Sequence, residues 1–108
     1  MQSNRNIWYD CWSGKTPDGR GAQIDLLLES KTGRTDYLCE MKFTGGKYAI
    51  TKADEEDFLN KIEAFAASKM HNNIRSIQLV MITTMGISQG EHASIVNQSV
   101  VLDDLFGR

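Results

Sequence analysis

Two carboxylates set inside apolar runs constrain this chain more than any other feature. Asp25 lies in Ala22-Gln23-Ile24-Asp25-Leu26-Leu27-Leu28 and Glu40 in Tyr37-Leu38-Cys39-Glu40-Met41-Lys42-Phe43, with fourteen residues between the two acids. Both runs read as strands, and a charge within a strand core is costly unless something compensates it. The gap suits an antiparallel hairpin. If Asp25 stands opposite Glu40, then Gln23 faces Lys42, Leu27 faces Leu38, and a two-residue turn falls on Thr32-Gly33. Strand side chains alternate between faces, so Glu40 and Lys42 point one way while Cys39, Met41 and Phe43 point into another layer.

The rest of the chain builds around that hairpin. Ile7 to Trp12 is a short aromatic strand, and the Gly-rich segment from Ser13 to Gly21, with the lone proline Pro17, is a loop. The carboxylate-bearing strands run from about Ala22 to Glu29 and from Asp36 to Phe43. Tyr48-Ala49-Ile50 is a brief extended piece. Thr51 then reads as a helix N-cap with Asp54 at capping-box spacing. The helix runs from Lys52 to Met70, acidic in its first turn, with an apolar stripe of Phe58, Ile62 and Phe65 joined by Leu59, Ala66 and Met70. Asn72-Asn73 is a turn. Ile77 to Thr84 is the most strand-like run and suggests an interior strand covered on both faces. Glu91 to Asn97 fits either a helical turn or irregular chain, Val100 to Leu102 is a last strand, and Asp103 to Phe106 a terminal helical turn. The order β-β-β-α-β, then β, predicts an α/β domain with a mixed β-sheet and a crossover helix.

The chain has 108 residues, room for one domain spanning 1–108 with a modest core. A net charge of −2 argues against a broad basic surface for nucleic acid but leaves room for a local basic lip. Two cysteines, Cys11 and Cys39, without CxxC spacing, point to reduced buried thiols rather than a zinc site. No apolar run approaches the about 20 residues of a membrane span, so the expected location is cytoplasmic.

Two carboxylates at hydrogen-bond-scale separation either share a proton or hold a cation. Mg²⁺, or Mn²⁺, takes oxygen ligands and often uses one or two carboxylates. Asp25 and Glu40 are therefore the candidate metal ligands. Lys42, beside them, is placed to orient an attacking water or neutralise phosphoryl oxygens, and Gln23 to hold a water or a phosphate oxygen. The same residues also fit a solvated sheet face. Trp8, Tyr9 and Trp12 suit base stacking or, more simply, core packing. Lys15, Arg20, Lys47 and Lys52 flank the site in loops, as phosphate contacts or ordinary solvated cations. Tyr48 lines the cleft or packs on the helix. His71 follows the helix stripe and reads as a surface or capping residue, His92 lies in a loop with no partner at metal-ligand spacing, and Asp103 and Asp104 suit a helix start better than a second metal.

Ile24-Asp25, then Glu40-Met41-Lys42, followed by a helix and an apolar strand, resembles the PD-(D/E)xK nuclease superfamily. Gly21 to Leu27, Leu38 to Phe43, Asn60 to Phe65, Met81 to Thr84 and Val101 to Phe106 together resemble the C-terminal nuclease-like domain of bacterial AAA-type ATPases. The resemblance implies a restriction-endonuclease-like core lacking the usual first helix, and a Mg²⁺-dependent phosphodiester hydrolase acting on DNA. It also implies either a fragment of a larger protein whose N-terminal ATPase region is a partner, or a truncated stand-alone copy. A missing helix would bare one apolar sheet face, which a homo-oligomer would cover. The alternative is a catalytically inactive module of the same fold that binds nucleic acid, docks to an ATPase or oligomerises.

Overall fold

Apolar strand runs pair into a single sheet, and one amphipathic helix lies across it. The computed structural model describes residues 2–4, 7–30, 35–68 and 76–102. The elements are β1 (Gln2–Asn4), β2 (Ile7–Lys15), β3 (Gly21–Ser30), β4 (Thr35–Lys42), α1 (Lys52–Ser68), β5 (Ser76–Thr83) and β6 (Gln98–Val101). They form one six-stranded sheet in the order β1-β2-β3-β4-β5-β6. Neighbours from β1 to β4 are antiparallel, whereas β4–β5 and β5–β6 are parallel. Parallel neighbours need a crossover, and α1 lies within the one from β4 to β5. The class is therefore α/β with a mixed sheet. Among the described residues no helix is long and apolar enough to cross a membrane.

The expected hairpin register holds where the strands pair. Leu27 stands opposite Leu38, within a ladder that runs from Leu26↔Cys39 to Glu29↔Asp36, but the expected pairs Asp25–Glu40 and Gln23–Lys42 are not part of it, because the ladder ends at Leu26. The Thr32-Gly33 turn lies outside the described residues, as do the last two residues of the expected helix, the Asn72-Asn73 turn and the terminal turn at Asp103 to Phe106. The short strand β1 pairs with Ile7–Tyr9 and was not anticipated, because its three residues are polar and carry no apolar alternation. Tyr48 forms an isolated bridge with Ile87, and Ala93–Ile95 is a single 3₁₀ turn.

The core lies between the sheet and α1. Ile24, Leu27, Leu38, Leu79 and Met81 meet Phe58 and Phe65 of the helix, with Ile50 closing one end. The Trp12 ring meets Phe65 edge-on at 5.5 Å, so its side chain belongs to the packing. The helix faces the sheet through Phe58, Ala64 and Phe65, with Ile62 packed beside them. Leu59 is 53% exposed and Ala66 is exposed, so both fall off the expected stripe. Thr51 and Asp54 form the expected capping box: Asp54 N–H donates to Thr51 Oγ1, and Thr51 N–H donates to Asp54 Oδ2.

The opposite sheet face departs from expectation. Cys39 and Val80 are buried there, but Met41 and Phe43 are 36% and 59% exposed rather than packed into a second layer. Among the described residues the single α-helix covers only the other side.

Candidate functional site

The site begins with a fault in the sheet. Asp10 pairs with Leu27 and Trp12 with Ile24, so Cys11 alone stands opposite both Asp25 and Leu26. This is a β-bulge in β3, and bulges re-aim side chains. Its effect is visible in the burial pattern. Ala22 and Ile24 are buried before it and Leu27 after it, while Gln23 and Asp25 are exposed. At the bulge the β3–β4 ladder stops, and a side chain takes over. Met41 N–H donates to Asp25 Oδ2 at 3.0 Å.

Glu40 sits on the neighbouring strand and points toward α1, as do Leu38 and the core. It is only 1% exposed. Its Oε1 accepts a hydrogen bond from Lys61 Nζ at 2.6 Å, and the same ammonium lies 3.2 Å from Asp57 Oδ2. Among the described residues its Oε2 is buried without a hydrogen-bond partner. Burial pushes the Glu40 carboxyl above its ordinary range. Lys61 pulls it down, and the charges of Asp25 and Asp57 add to the upward push. Burial disfavours the Lys61 ammonium too, yet Glu40 and Asp57 outweigh it and hold the lysine protonated beyond its usual range.

A cleft of about 500 Å³ opens beside this pair, lined by Gly21, Ala22, Gln23, Asp25, Asp57 and Lys61. A second, of about 580 Å³, shares Gln23 and Asp25 and adds Trp12, Met41 and Phe43 among its walls. Asp25 and Gln23 thus line both openings.

Of the residues singled out from sequence, Asp25 and Glu40 come within electrostatic reach of one another, and Gln23 lines the same cleft as Asp25. Lys42 shares Glu40's face but reaches elsewhere. Its Nζ lies 6.0 Å from the Tyr48 ring centre, and its charge helps hold Asp54 ionised. Tyr48 donates its hydroxyl to Asp54 Oδ2, and burial with that bond pushes its phenol up to about 12. Arg20 pairs with Asp18 and Glu63, and His92 lies 3.3 Å from Glu55. His71, Asp103 and Asp104 lie outside the described residues.

Lys61 is the residue that sequence reasoning missed. The signal was present. It lies three residues after Phe58 and four before Phe65, on the stripe that faces the sheet. A lysine on a buried helical face calls for a buried acid, and Glu40 is that acid.

The donor set suits a hard cation in kind. Asp25 and Glu40 supply only oxygen, and Oε2 is a buried acceptor that receives no hydrogen bond among the described residues. Among the described residues no group of three or more His, Cys, Asp or Glu side chains converges to hold a metal. Comparison with protein-family models, curated proteins and solved structures finds no match to this chain.

Proposed function

We propose that this chain is a restriction-endonuclease-like domain that hydrolyses DNA phosphodiesters with Mg²⁺ or Mn²⁺. The observation that carries this reading is a bulge-borne Asp25 that lines an open cleft and whose charge acts on the buried Glu40, a carboxylate whose Oε2 has no partner among the described residues. The run β2-β3-β4-α1-β5 supports it, since it follows the β-β-β-α-β order that the resemblance implies.

In this reading Asp25 and Glu40 hold the cation. A bound Mg²⁺ would supply charge neutralisation at phosphoryl oxygens and a more acidic water. Asp25 is held in place by the Met41 amide, so its carboxylate is oriented before substrate arrives. Gln23 presents an amide to the same cleft, suited to a water or a phosphate oxygen. Lys42, at the end of β4, adds positive charge that draws the phosphodiester toward the strand end.

The test is cleavage of supercoiled and single-stranded DNA with Mg²⁺ or Mn²⁺, comparing wild type with Asp25→Ala, Glu40→Gln and Lys42→Ala. We expect cleavage that chelation abolishes and that falls at least about a hundredfold in each variant. Retarded DNA mobility without cleavage, unchanged in Glu40→Gln, would favour the inactive binding module instead. The Lys61–Glu40 pair is the specific feature on that side, because it already compensates the buried carboxylate without a metal.

A further inference from the structure

Glu40 is divided between two environments. Oε1 is engaged by Lys61 at 2.6 Å, and Oε2 is buried with no partner among the described residues. Resting on the metal-site reading above, we propose that Lys61 is the positioning lysine of this site: it holds Glu40 before a divalent cation binds, then yields Glu40 to the cation while keeping Asp57.

Three observations carry this. First, a cation on Glu40 and Asp25 would share one carboxylate with the Lys61 ammonium, and like charges on a common carboxylate repel strongly where water is scarce. The two occupants therefore compete. Second, Asp57 lies four residues before Lys61 on α1, and its Oδ2 is already 3.2 Å from Nζ. The ammonium can leave Glu40 without losing its only anion. Third, the Lys61 side chain is 12% exposed and lines the same cleft as Asp25. Once released from Glu40, its charge faces the space a phosphate would enter. Lys42 is directed elsewhere, toward the Tyr48 ring and the charge of Asp54.

The experiment is calorimetric titration of Mg²⁺ and of Mn²⁺ into wild type, Lys61→Met, Asp57→Asn and the double variant, with Glu40→Gln as the blank. Thermal melts establish that each is folded. We expect Lys61→Met to bind at least tenfold more tightly than wild type. Asp57→Asn should bind at least threefold more weakly, because the ammonium loses its second anchor and stays on Glu40. That weakening should largely vanish in the Lys61→Met background. Glu56→Gln, which removes a neighbouring exposed charge of the same helix, should change nothing. If Lys61→Met does not fold, the contrast between Asp57→Asn and Glu56→Gln decides. Equal affinities across these variants, all lost in Glu40→Gln, would overturn the role of Lys61 and leave the metal site standing. No binding heat in any variant, Lys61→Met included, would overturn the metal site and this role with it.

Discussion

Glu40 and Lys61 stabilise the chain only as a pair. Each alone would leave a charge against apolar surroundings, and breaking such a pair by removing one partner costs about 3–5 kcal/mol. Glu40 is almost wholly buried and Lys61 largely so. Lys61→Met alone should therefore lower stability by about 3 kcal/mol, while the double change Glu40→Gln with Lys61→Met should recover most of that loss. Urea unfolding of the four proteins measures this, and a simple sum of the two single losses would contradict it. The cysteines differ for a related reason. Burial, then the nearby Glu40 charge, pushes the Cys39 thiol up to about 11, while Cys11 is exposed. A thiolate is the reactive form, so Cys39 should alkylate only on unfolding, as mass spectrometry with and without denaturant would resolve. At this scale the sequence was half readable. Two acids inside apolar strands signalled that something must compensate them. The compensating group on the described structure came from a helix twenty-one residues past Glu40. The ExK spacing drew attention to Lys42, the nearer lysine in sequence, whereas tertiary packing chose the nearer in space.

The bulge in β3 is the element-scale feature on which the site depends. It turns Asp25 out of the pattern set by Ile24 and Leu27 and ends the ladder with β4. Strand existence, order and the Leu27↔Leu38 register were legible because period-two alternation and a short gap fix them. The bulge was not, because one inserted residue changes no composition and shows only when β2 is laid alongside. The exposed Met41 and Phe43 were misread for a similar reason: alternation assigns a residue to a face and says nothing about whether another layer covers that face. Close to the bulge, β2 depends on Gly14. A Cβ built there would lie 2.4 Å from Trp12 Cη2, with two more ring atoms within 3.2 Å. The Trp12 ring lies over that glycine and reaches Phe65, so it has little freedom to retreat. Gly14→Ala should destabilise the protein by about 1–3 kcal/mol through overpacking. Denaturant midpoints would show it, and a midpoint at or above wild type would mean that the ring shifts without loss.

Tyr48 links parts of the molecule that the strands do not. Its backbone accepts from Ser88 N–H and donates to Gly86 O, both at 2.9 Å, which ties the segment after β4 to the loop after β5. Gly86 makes that turn at φ +91°, a conformation other residues adopt only with strain. The Tyr48 hydroxyl then reaches the start of α1 by donating to Asp54 Oδ2 at 2.9 Å. Sheet end, helix cap and far loop thus share one residue, and the ionisation of its phenol probes the bond to the helix cap. The folded protein holds the Tyr48 phenol up to about 12, through burial first and the Asp54 bond second, whereas an unfolded tyrosine titrates near about 10. A group whose folded value is raised contributes its full stability below the unfolded value and loses it as the pH climbs through the folded one. Wild type should therefore exceed Tyr48→Phe in stability by about 1.5 kcal/mol at neutral pH, the worth of a hydrogen bond to a carboxylate. That margin should stay level up to pH about 10 and shrink steadily toward pH about 12. Chemical unfolding of both proteins across this range tests it, alongside ultraviolet titration of the phenols. A margin that stays constant to pH about 12 would mean that Tyr48 titrates as an ordinary tyrosine and that the three parts are joined by backbone alone.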